Sequence, residues 1–552
     1  MSKQAGILFI GAEDEENLAI RSLAAFCRRE GIASQVAGFS HPADTEAVLR
    51  GVARQKPAML AVSIAFQCKA EDSFALLNKV REDGFRGHIV AGGHFPTFEY
   101  RQILQTQPAI DSVLRFEGEH GIVPLARALS SGGDLVQVPN LVYRDGGTIR
   151  ENLCTHGFMD LDLLPFPIRS RKAQQRLGEG FASLISSRGC WHSRCVYCCI
   201  GAFHEAKDTK FALRSADNVA EEIAGLHRVQ GATLVQFHDD NFVLDTPAQT
   251  CGRLRDITRE LVRRGIGPGK LAFLIKARPD VVDESVAEAL QELGCIGVFL
   301  GVENVTESGL RALARGADLG AVNRALEALL RRRIPVTYNL LVFHPHATVK
   351  EVRANINFVR AHPGVPFDFG RAEIVAGSPL ERLTIHENLR CGRWPMWDYR
   401  LRDAAAQRVF EIYRATFRMP GSSYSSLMHE LIALAYHAAT VRRLYVGSSA
   451  EAAGLAVTNL VTATNGFIVD RIEEMLALAE APDEGAVRAF NEMLQERCRR
   501  TARQAAKLAR ELQRLQTAER VFKCFGIQSM VQETPWLLGL FGLPESGSSR
   551  AQ

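Results

Sequence analysis

A chain of 552 residues is larger than one hydrophobic core organises, and two or three domains are expected of it. With 46% hydrophobic and 23% charged residues it is neither disordered nor fibrous, and 66 Lys+Arg against 62 Asp+Glu is too even to demand nucleic acid or an anionic membrane. The segment Met1–Ile20 lacks a signal-peptide core and no later stretch approaches the ~20 apolar residues of a membrane span, so a cytoplasmic protein without a membrane partner is expected.

Residues 1–135 alternate apolar runs with amphipathic segments, and strands are expected at Gly6–Ile10, Ile32–Val36, Met59–Ile64, His88–Ala91 and Ser112–Leu114. That spacing predicts a doubly wound, Rossmann-like parallel sheet whose ligand crevice lies at the carboxyl ends of its strands. Those ends carry Gly11, Ser63 to Cys68, the pair Gly92-Gly93 followed by His94-Phe95, and Phe116 to Glu119. By physics alone the ligand is as easily a nucleotide as anything else.

A connector is expected over 136–180, containing a hairpin at Leu141–Tyr143 and Thr148–Arg150 around Asp145-Gly146-Gly147, then Asp162-Leu-Leu-Pro165. A second alternation fills 181–394, with strands expected near Phe181–Ser186, Leu234–Phe237, Ala272–Lys276, Gly297–Leu300, Thr337–Val342 and Arg371–Val375. Six such units predict a partial (β/α)6, TIM-like barrel with its chemistry at the carboxyl ends of the strands. Residues 395–552 read as a helical C-terminal domain, and Arg499, Arg500, Arg503, Lys507 and Arg510 within it read as a solvated helix face, so nucleic acid is not expected as a partner.

The strongest signal is Cys190-Trp-His-Ser-Arg-Cys195-Val-Tyr-Cys198-Cys199, directly after the first barrel strand. Four cysteines crowded into ten residues of a large chain point to metal or redox chemistry. Three thiolates on one loop suit three irons of a cubane cluster; structural zinc on Cys190, Cys195, Cys198 and either Cys199 or His192, and unliganded cysteines, are the competing readings.

The loop resembles the signature of the radical SAM superfamily, whose cysteines are spaced CxxxCxxC with an aromatic residue before the last. Tyr197 fills that place, whereas Trp191 to Arg194 put four residues rather than three in the first gap. The resemblance implies that Cys190, Cys195 and Cys198 hold a 4Fe-4S cluster whose open iron binds S-adenosylmethionine. It also implies SAM contacts from Tyr197, from Asp239 and Asp240 in His238-Asp-Asp-Asn241, from Arg278, and from Glu303 in Gly301-Val-Glu303. The segment Ala376-Gly-Ser-Pro379-Leu380 resembles a closing motif of the same family.

The domain before the barrel is similar to the cobalamin-binding half of the cobalamin-dependent subclass. This implies cobalamin contacts from Ser63, Gln67, Gly92, Gly93, His94, Phe95 and Glu117. The Asp-x-His-x-x-Gly motif that carries a lower cobalt ligand is absent, so no histidine is expected below the metal. A structural domain that has lost cobalamin is the alternative.

The resemblance implies a cobalamin-dependent radical SAM methyltransferase, in which one SAM methylates cobalamin and a second gives a 5′-deoxyadenosyl radical. The expected substrate is a small natural product or modified peptide methylated at an unactivated position. The expected reductant is a flavodoxin or ferredoxin. Rearrangement, ring contraction or oxidative cyclisation without methyl transfer is the alternative reaction, and a non-catalytic metal-stabilised binding protein the alternative class. The helical tail, outside every motif, is expected to carry substrate specificity.

Overall fold

The computed structural model describes residues 6–155, 157–204, 210–445, 448–481 and 483–524. Five parallel strands, β1 (Ile7–Gly11), β2 (Ser34–Gly38), β3 (Met59–Ser63), β4 (His88–Gly92) and β5 (Ser112–Leu114), lie in the order β2-β1-β3-β4-β5. The helices between them are α1 (Leu18–Arg29), α2 (Thr45–Gln55), α3 (Ala70–Glu82) and α4 (His94–Thr106), and α5 (Ile122–Ser131) follows β5. Strand β1 is apolar and buried on both faces, as a strand covered by helices on each side must be. Helix α1 starts where the Asn17 side chain accepts the Ile20 N–H at 3.3 Å. With this strand order the topological switch point falls between the carboxyl ends of β1 and β3, at Gly11 and Ser63.

Strands β6 (Leu141–Asp145) and β7 (Thr148–Glu151) form the expected hairpin, with Gly146 and Gly147 at φ 55° and 88° in its turn. Its place differs from the expectation. Strand β6 pairs antiparallel with β5 from Ser112 to Leu114, so the hairpin is the edge of the first sheet rather than a free connector.

In the second sheet β8 (Gln174–Arg176) runs antiparallel to β9 (Glu179–Leu184), and a side ribbon pairs β10 (Ser187–Gly189) with β11 (Phe211–Leu213). The parallel series continues through β12 (Leu234–Phe237), β13 (Ala272–Ala277), β14 (Cys295–Glu303), β15 (Val336–Phe343) and β16 (Phe367–Arg371), each beside the last. Helices α6 (Ile200–Phe203), α7 (Ala216–Gly225), α8 (Pro247–Arg263), α9 (Glu284–Leu293), α10 (Glu307–Ala312), α11 (Leu319–Arg331), α12 (Val349–Ala361) and α13 (Pro379–His386) accompany them. The result is an open six-stranded half-barrel. Its sixth strand starts four residues before the expected place, because Phe367 and Phe369 are the buried pair. Residues 372–378 instead form a loop that reaches the first domain: Gln67 donates to the Ile374 carbonyl and accepts the Ala376 N–H at 3.2 Å.

After a short ribbon, β17 (Arg390–Arg393) with β18 (Met396–Tyr399), come α14 (Ala404–Thr416), α15 (Ser423–Leu444), α16 (Ser448–Glu480) and α17 (Glu484–Cys524). These helices share one continuous core with the half-barrel. Tyr413 stacks near Phe343 and Phe369, with ring centroids 5.0 and 4.9 Å apart, and its hydroxyl donates to the Phe369 carbonyl at 2.7 Å. Tyr436 of α15 occupies the place a side chain at Gly297 would take and shares a 2.8 Å hydrogen bond with Thr337. The Tyr445 hydroxyl donates to Glu179, the first residue of β9, at 2.7 Å. The tail thus packs on the sixth strand and on the amino-terminal ends of several barrel strands.

Residues Ala450–Glu480 are long and apolar enough to cross a membrane by length and composition, which corrects the expectation that no such stretch exists. In the fold this helix packs against α12, α14, α15 and α17. The basic run of α17 is exposed, with Arg499 paired to Glu496 at 3.0 Å.

A chain ending at Trp394 would uncover Phe343, Phe369 and the barrel's lower mouth. Such a protein is expected to aggregate instead of folding with its cofactor sites intact, and size-exclusion chromatography checks this: a monodisperse monomer would contradict the shared core.

Candidate functional site

The peptide entering the cysteine loop is fixed before its first thiol. Asp239, fully buried at the end of β12, accepts from Ser186 N at 3.1 Å, from Ser186 Oγ at 2.9 Å and from the Ser187 hydroxyl. Gly189 follows at φ 81°, pressed against the Lys210 carbonyl so closely that a Cβ would clash. Within the four residues between Cys190 and Cys195, Ser193 adopts φ 46°, with Gly201 packed against its carbonyl. Neighbouring loops hold the rest: Val196 N–H donates to the Leu313 carbonyl at 3.1 Å, Leu380 N–H to the Val196 carbonyl at 2.7 Å, and Trp191 Nε1 to the Val243 carbonyl at 3.0 Å.

Cys190, Cys195 and Cys198 are half-buried on this loop, while Cys199 is turned into the core. Burial raises the Cys190 and Cys198 thiols. Burial opposes ionisation of Cys195 too, but His192 and Arg315 outweigh it and hold that thiol at about 7. Arg315 Nη1 lies 3.2 Å and Arg278 Nη1 4.0 Å from the Cys195 sulfur. Among the described residues no three His, Cys, Asp or Glu side chains form a group suited to a single metal ion. Three thiols on one loop, beside two guanidinium groups that favour thiolate, fit a cluster bound through thiolates.

The residues expected around SAM divide by role. Glu303, at the end of β14, has φ 64°, an unfavourable backbone for a residue with a side chain. Burial raises its carboxyl, against which Arg315 and Tyr197 act. Arg315 joins the group: it reaches the Tyr197 hydroxyl at 3.3 Å and donates to the Gly301 carbonyl. Nothing in the sequence marked this arginine, a lone cation in the loop after α10. Arg278 is buried, paired with Asp280 at 2.8 Å and lying 5.1 Å over the Trp191 ring, so it orders the loop. Asp239 likewise serves the Ser186-Ser187 peptide and does not face the cavity. Asp240 lines the interdomain cleft, where burial lifts its carboxyl to about 6 against the pull of Lys276.

The carboxyl ends of the two sheets face each other across a cavity of about 340 Å3. Ser63, Gly92, Gly93, His94 and Glu117 line one side of it, and Ile185, Ser187, Arg188, His238 and Asp240 the other. Phe9, Val62, Val90 and Leu114 form an apolar slot behind the first group, over the switch point. Gly93, at φ 107°, sits so close to Ile64 that a Cβ would lie 2.8 Å from its carbonyl oxygen, which keeps this wall flat. An apolar slot behind a flat glycine wall fits a large planar ligand with an extended side arm, as cobalamin is. Two expected contacts lie elsewhere: Phe95 is in the core, its ring 6.2 Å from Trp394, and Gln67 joins the barrel's 372–378 loop.

His94, the histidine nearest the glycine pair, packs tilted against Phe203 with ring centroids 4.4 Å apart and lies parallel to Phe66 at 6.3 Å. Burial lowers it to about 4, so it is neutral at pH 7. His204 lines the same cavity and is pushed down to about 3, by burial first and then by His94 and Arg188. Glu117 and Glu119 both bind Arg188, Glu119 at 2.8 Å. Burial and the neighbouring Glu119 lift Glu117 to about 7, whereas Arg188 overcomes burial at Glu119 and holds it below the usual carboxylate range.

Two family models match this chain, the B12 binding domain over residues 11–126 and the Radical SAM superfamily over residues 184–359. The B12 binding match falls on the first domain and the radical SAM match on the half-barrel that follows it. Over 302 residues it is 26% identical to an uncharacterized methyltransferase, PH0819, of Pyrococcus horikoshii, covering 53% of this chain and 62% of the relative. It is 28% identical over 251 residues to the anaerobic magnesium-protoporphyrin IX monomethyl ester cyclase of a Synechocystis species, covering 45% of this chain and 48% of that one. The chain thus spans about half to three fifths of the length of these curated relatives. Among solved structures, the cobalamin-dependent S-adenosylmethionine radical enzyme OxsB with aqua-cobalamin bound shares the fold, with TM-score 0.66, 16% identity, and coverage of 93% of this chain and 81% of that chain.

Because His94 is neutral in the fold and ionises near 6.5 when unfolded, its stabilising contribution is complete above pH 6.5 and declines as pH falls toward 4. His94→Gln is expected to flatten the dependence of melting temperature on pH between 6.5 and 4.5; an unchanged slope would contradict a buried neutral His94.

Proposed function

We propose that this protein is a cobalamin-dependent radical SAM methyltransferase that acts on an unactivated position of a small natural product or modified peptide. The supporting observation is that the glycine wall and apolar slot of the first domain share one cavity with Ser187, Arg188, Phe203 and His204, which flank the cysteine loop, and with Asp240. Cys190, Cys195 and Cys198 would hold a 4Fe-4S cluster that with SAM would supply radical chemistry, and Ser63, Gly92 and Gly93 would hold cobalamin, which would supply a transferable methyl group.

The chain's own residues bind, orient and exclude water. Arg315 favours the Cys195 thiolate by its charge and braces Tyr197 and Gly301. Glu303, held in a constrained backbone beside them, is placed to accept hydrogen bonds from the cationic end of SAM. Phe116, Phe203 and the neutral His94 form an aromatic wall of the cavity, which keeps water from a reactive radical. Asp240, poised near 6, is the cleft group best suited to hold a substrate amine or move a proton. A flavodoxin or ferredoxin fits as reductant.

The likeness to an anaerobic cyclase favours a second reading, oxidative cyclisation with the same cofactors. Product analysis separates the two. Methyl transfer forms S-adenosylhomocysteine and 5′-deoxyadenosine together with each methylated product, whereas cyclisation forms 5′-deoxyadenosine without matching S-adenosylhomocysteine.

After anaerobic reconstitution, Cys195→Ala or Cys198→Ala is expected to lower 5′-deoxyadenosine formation at least a hundredfold, and Cys199→Ala to leave it within about threefold of the parent. Liquid chromatography of the quenched reaction reads this out, and equal loss in all three variants would refute the ligand set.

A further inference from the structure

Arg188 stands two residues before Cys190, yet its guanidinium belongs to the other domain. Its Nη2 binds Glu119 at 2.8 Å and its Nη1 binds Glu117, both from the turn that follows β5. That turn also lines the cavity, through Phe116, Glu117, Gly118 and Glu119. Glu117 holds a second point of the same loop, because His204 Nδ1, just beyond the cysteines, lies 3.3 Å from its other carboxylate oxygen. One carboxylate of the cobalamin-binding domain therefore touches the peptide entering the cysteine loop and the peptide leaving it.

Nothing in this arrangement is slack. The Arg188 backbone lies in the paired ribbon of β10 and β11, anchored by Asp239 on one side and by the Cys190 N–H donating to the Lys210 carbonyl at 3.2 Å on the other. Glu119 is buried and Glu117 largely so, with side-chain exposures of 4% and 11%, which shields the guanidinium from most competing water. A planar fork bound by two acids has one favoured geometry. The first domain's turn is held in turn by Phe116 at φ 58° and by Gly118 packed against Leu23.

We propose that Arg188 is a positioning residue that, clamped by Glu117 and Glu119, sets the separation between the corrin site and the cysteine loop. This rests on the cofactor reading above and adds to it a specific determinant of geometry. Methyl transfer and hydrogen abstraction at one substrate need both cofactors at fixed reach, and a slip of an ångström is costly. The clamp supplies that constraint from the wall of the cavity.

The test is pulsed electron paramagnetic resonance on the reconstituted full chain, reading the dipolar coupling between cob(II)alamin and the reduced cluster. The parent is expected to show one narrow distance. Arg188→Gln, with iron and cobalamin still bound, is expected to at least double the width of that distribution, and Arg188→Lys to recover part of it. Glu119→Gln, which leaves Glu117 in place, is expected to broaden it less and serves if Arg188→Gln does not fold. A distribution unchanged in the folded variants overturns the clamp while leaving the function intact. A parent chain with no cobalt signal overturns the proposed function and the clamp together.

Discussion

The structure depends on two sheets meeting end to end through charges removed from water. Each sheet presents its carboxyl-terminal edge, the place where loops carry ligand-binding residues, and the two edges are joined by arginines held between carboxylates. Arg188 lies between Glu117 and Glu119. A second chain of pairs runs from Glu13 and Glu16 through Arg21 and Arg169 to Glu222 and Arg214 of the barrel. His238 adds a contact to Glu15 at 2.8 Å. Buried ion pairs contribute little net stability compared with apolar packing, but removing one partner costs about 3–5 kcal/mol. They are therefore poor glue and good rulers.

Unfavourable backbone collects at the same place. Glu303 and Ser193 both occupy left-handed conformations, one at the strand end facing the cysteine loop and the other inside the loop. Such positions persist only when the surroundings over-determine them. Here the surroundings are Arg315 and Tyr197 on one side and His192, hydrogen-bonded to the Ala314 carbonyl at 2.9 Å, on the other. The loop's geometry is thus imposed by barrel residues far away in sequence.

Much of this was legible in the sequence where the signal is local. Fully apolar strands such as Ile7–Gly11 and the Gly146-Gly147 turn announce themselves within a few residues. The crowded cysteines did so too. Contacts between distant segments were not legible. Gln67 and Phe95 sit beside site residues in sequence but point into an interface and a core, since successive residues after a strand diverge in direction. Arg315 is a lone arginine whose partners lie 118 and 120 residues earlier. The sixth strand was misplaced because Arg371–Val375 offers as good an apolar run as Phe367–Arg371, and only burial of the two phenylalanines decides between them. The tail helices lack motifs, so their role as part of the barrel's core appears only in packing.

The central claim is that one chain presents a thiolate-held cluster and a corrin to a common cavity. Metal and corrin stoichiometry of anaerobically reconstituted protein tests it most directly. About four irons and one cobalamin per chain are expected, with Cys195→Ser losing the iron and keeping the cobalamin, and a large residue at Gly93 doing the reverse. Zinc in place of iron, or cobalamin that dissociates whenever the cysteines are changed, would contradict the account.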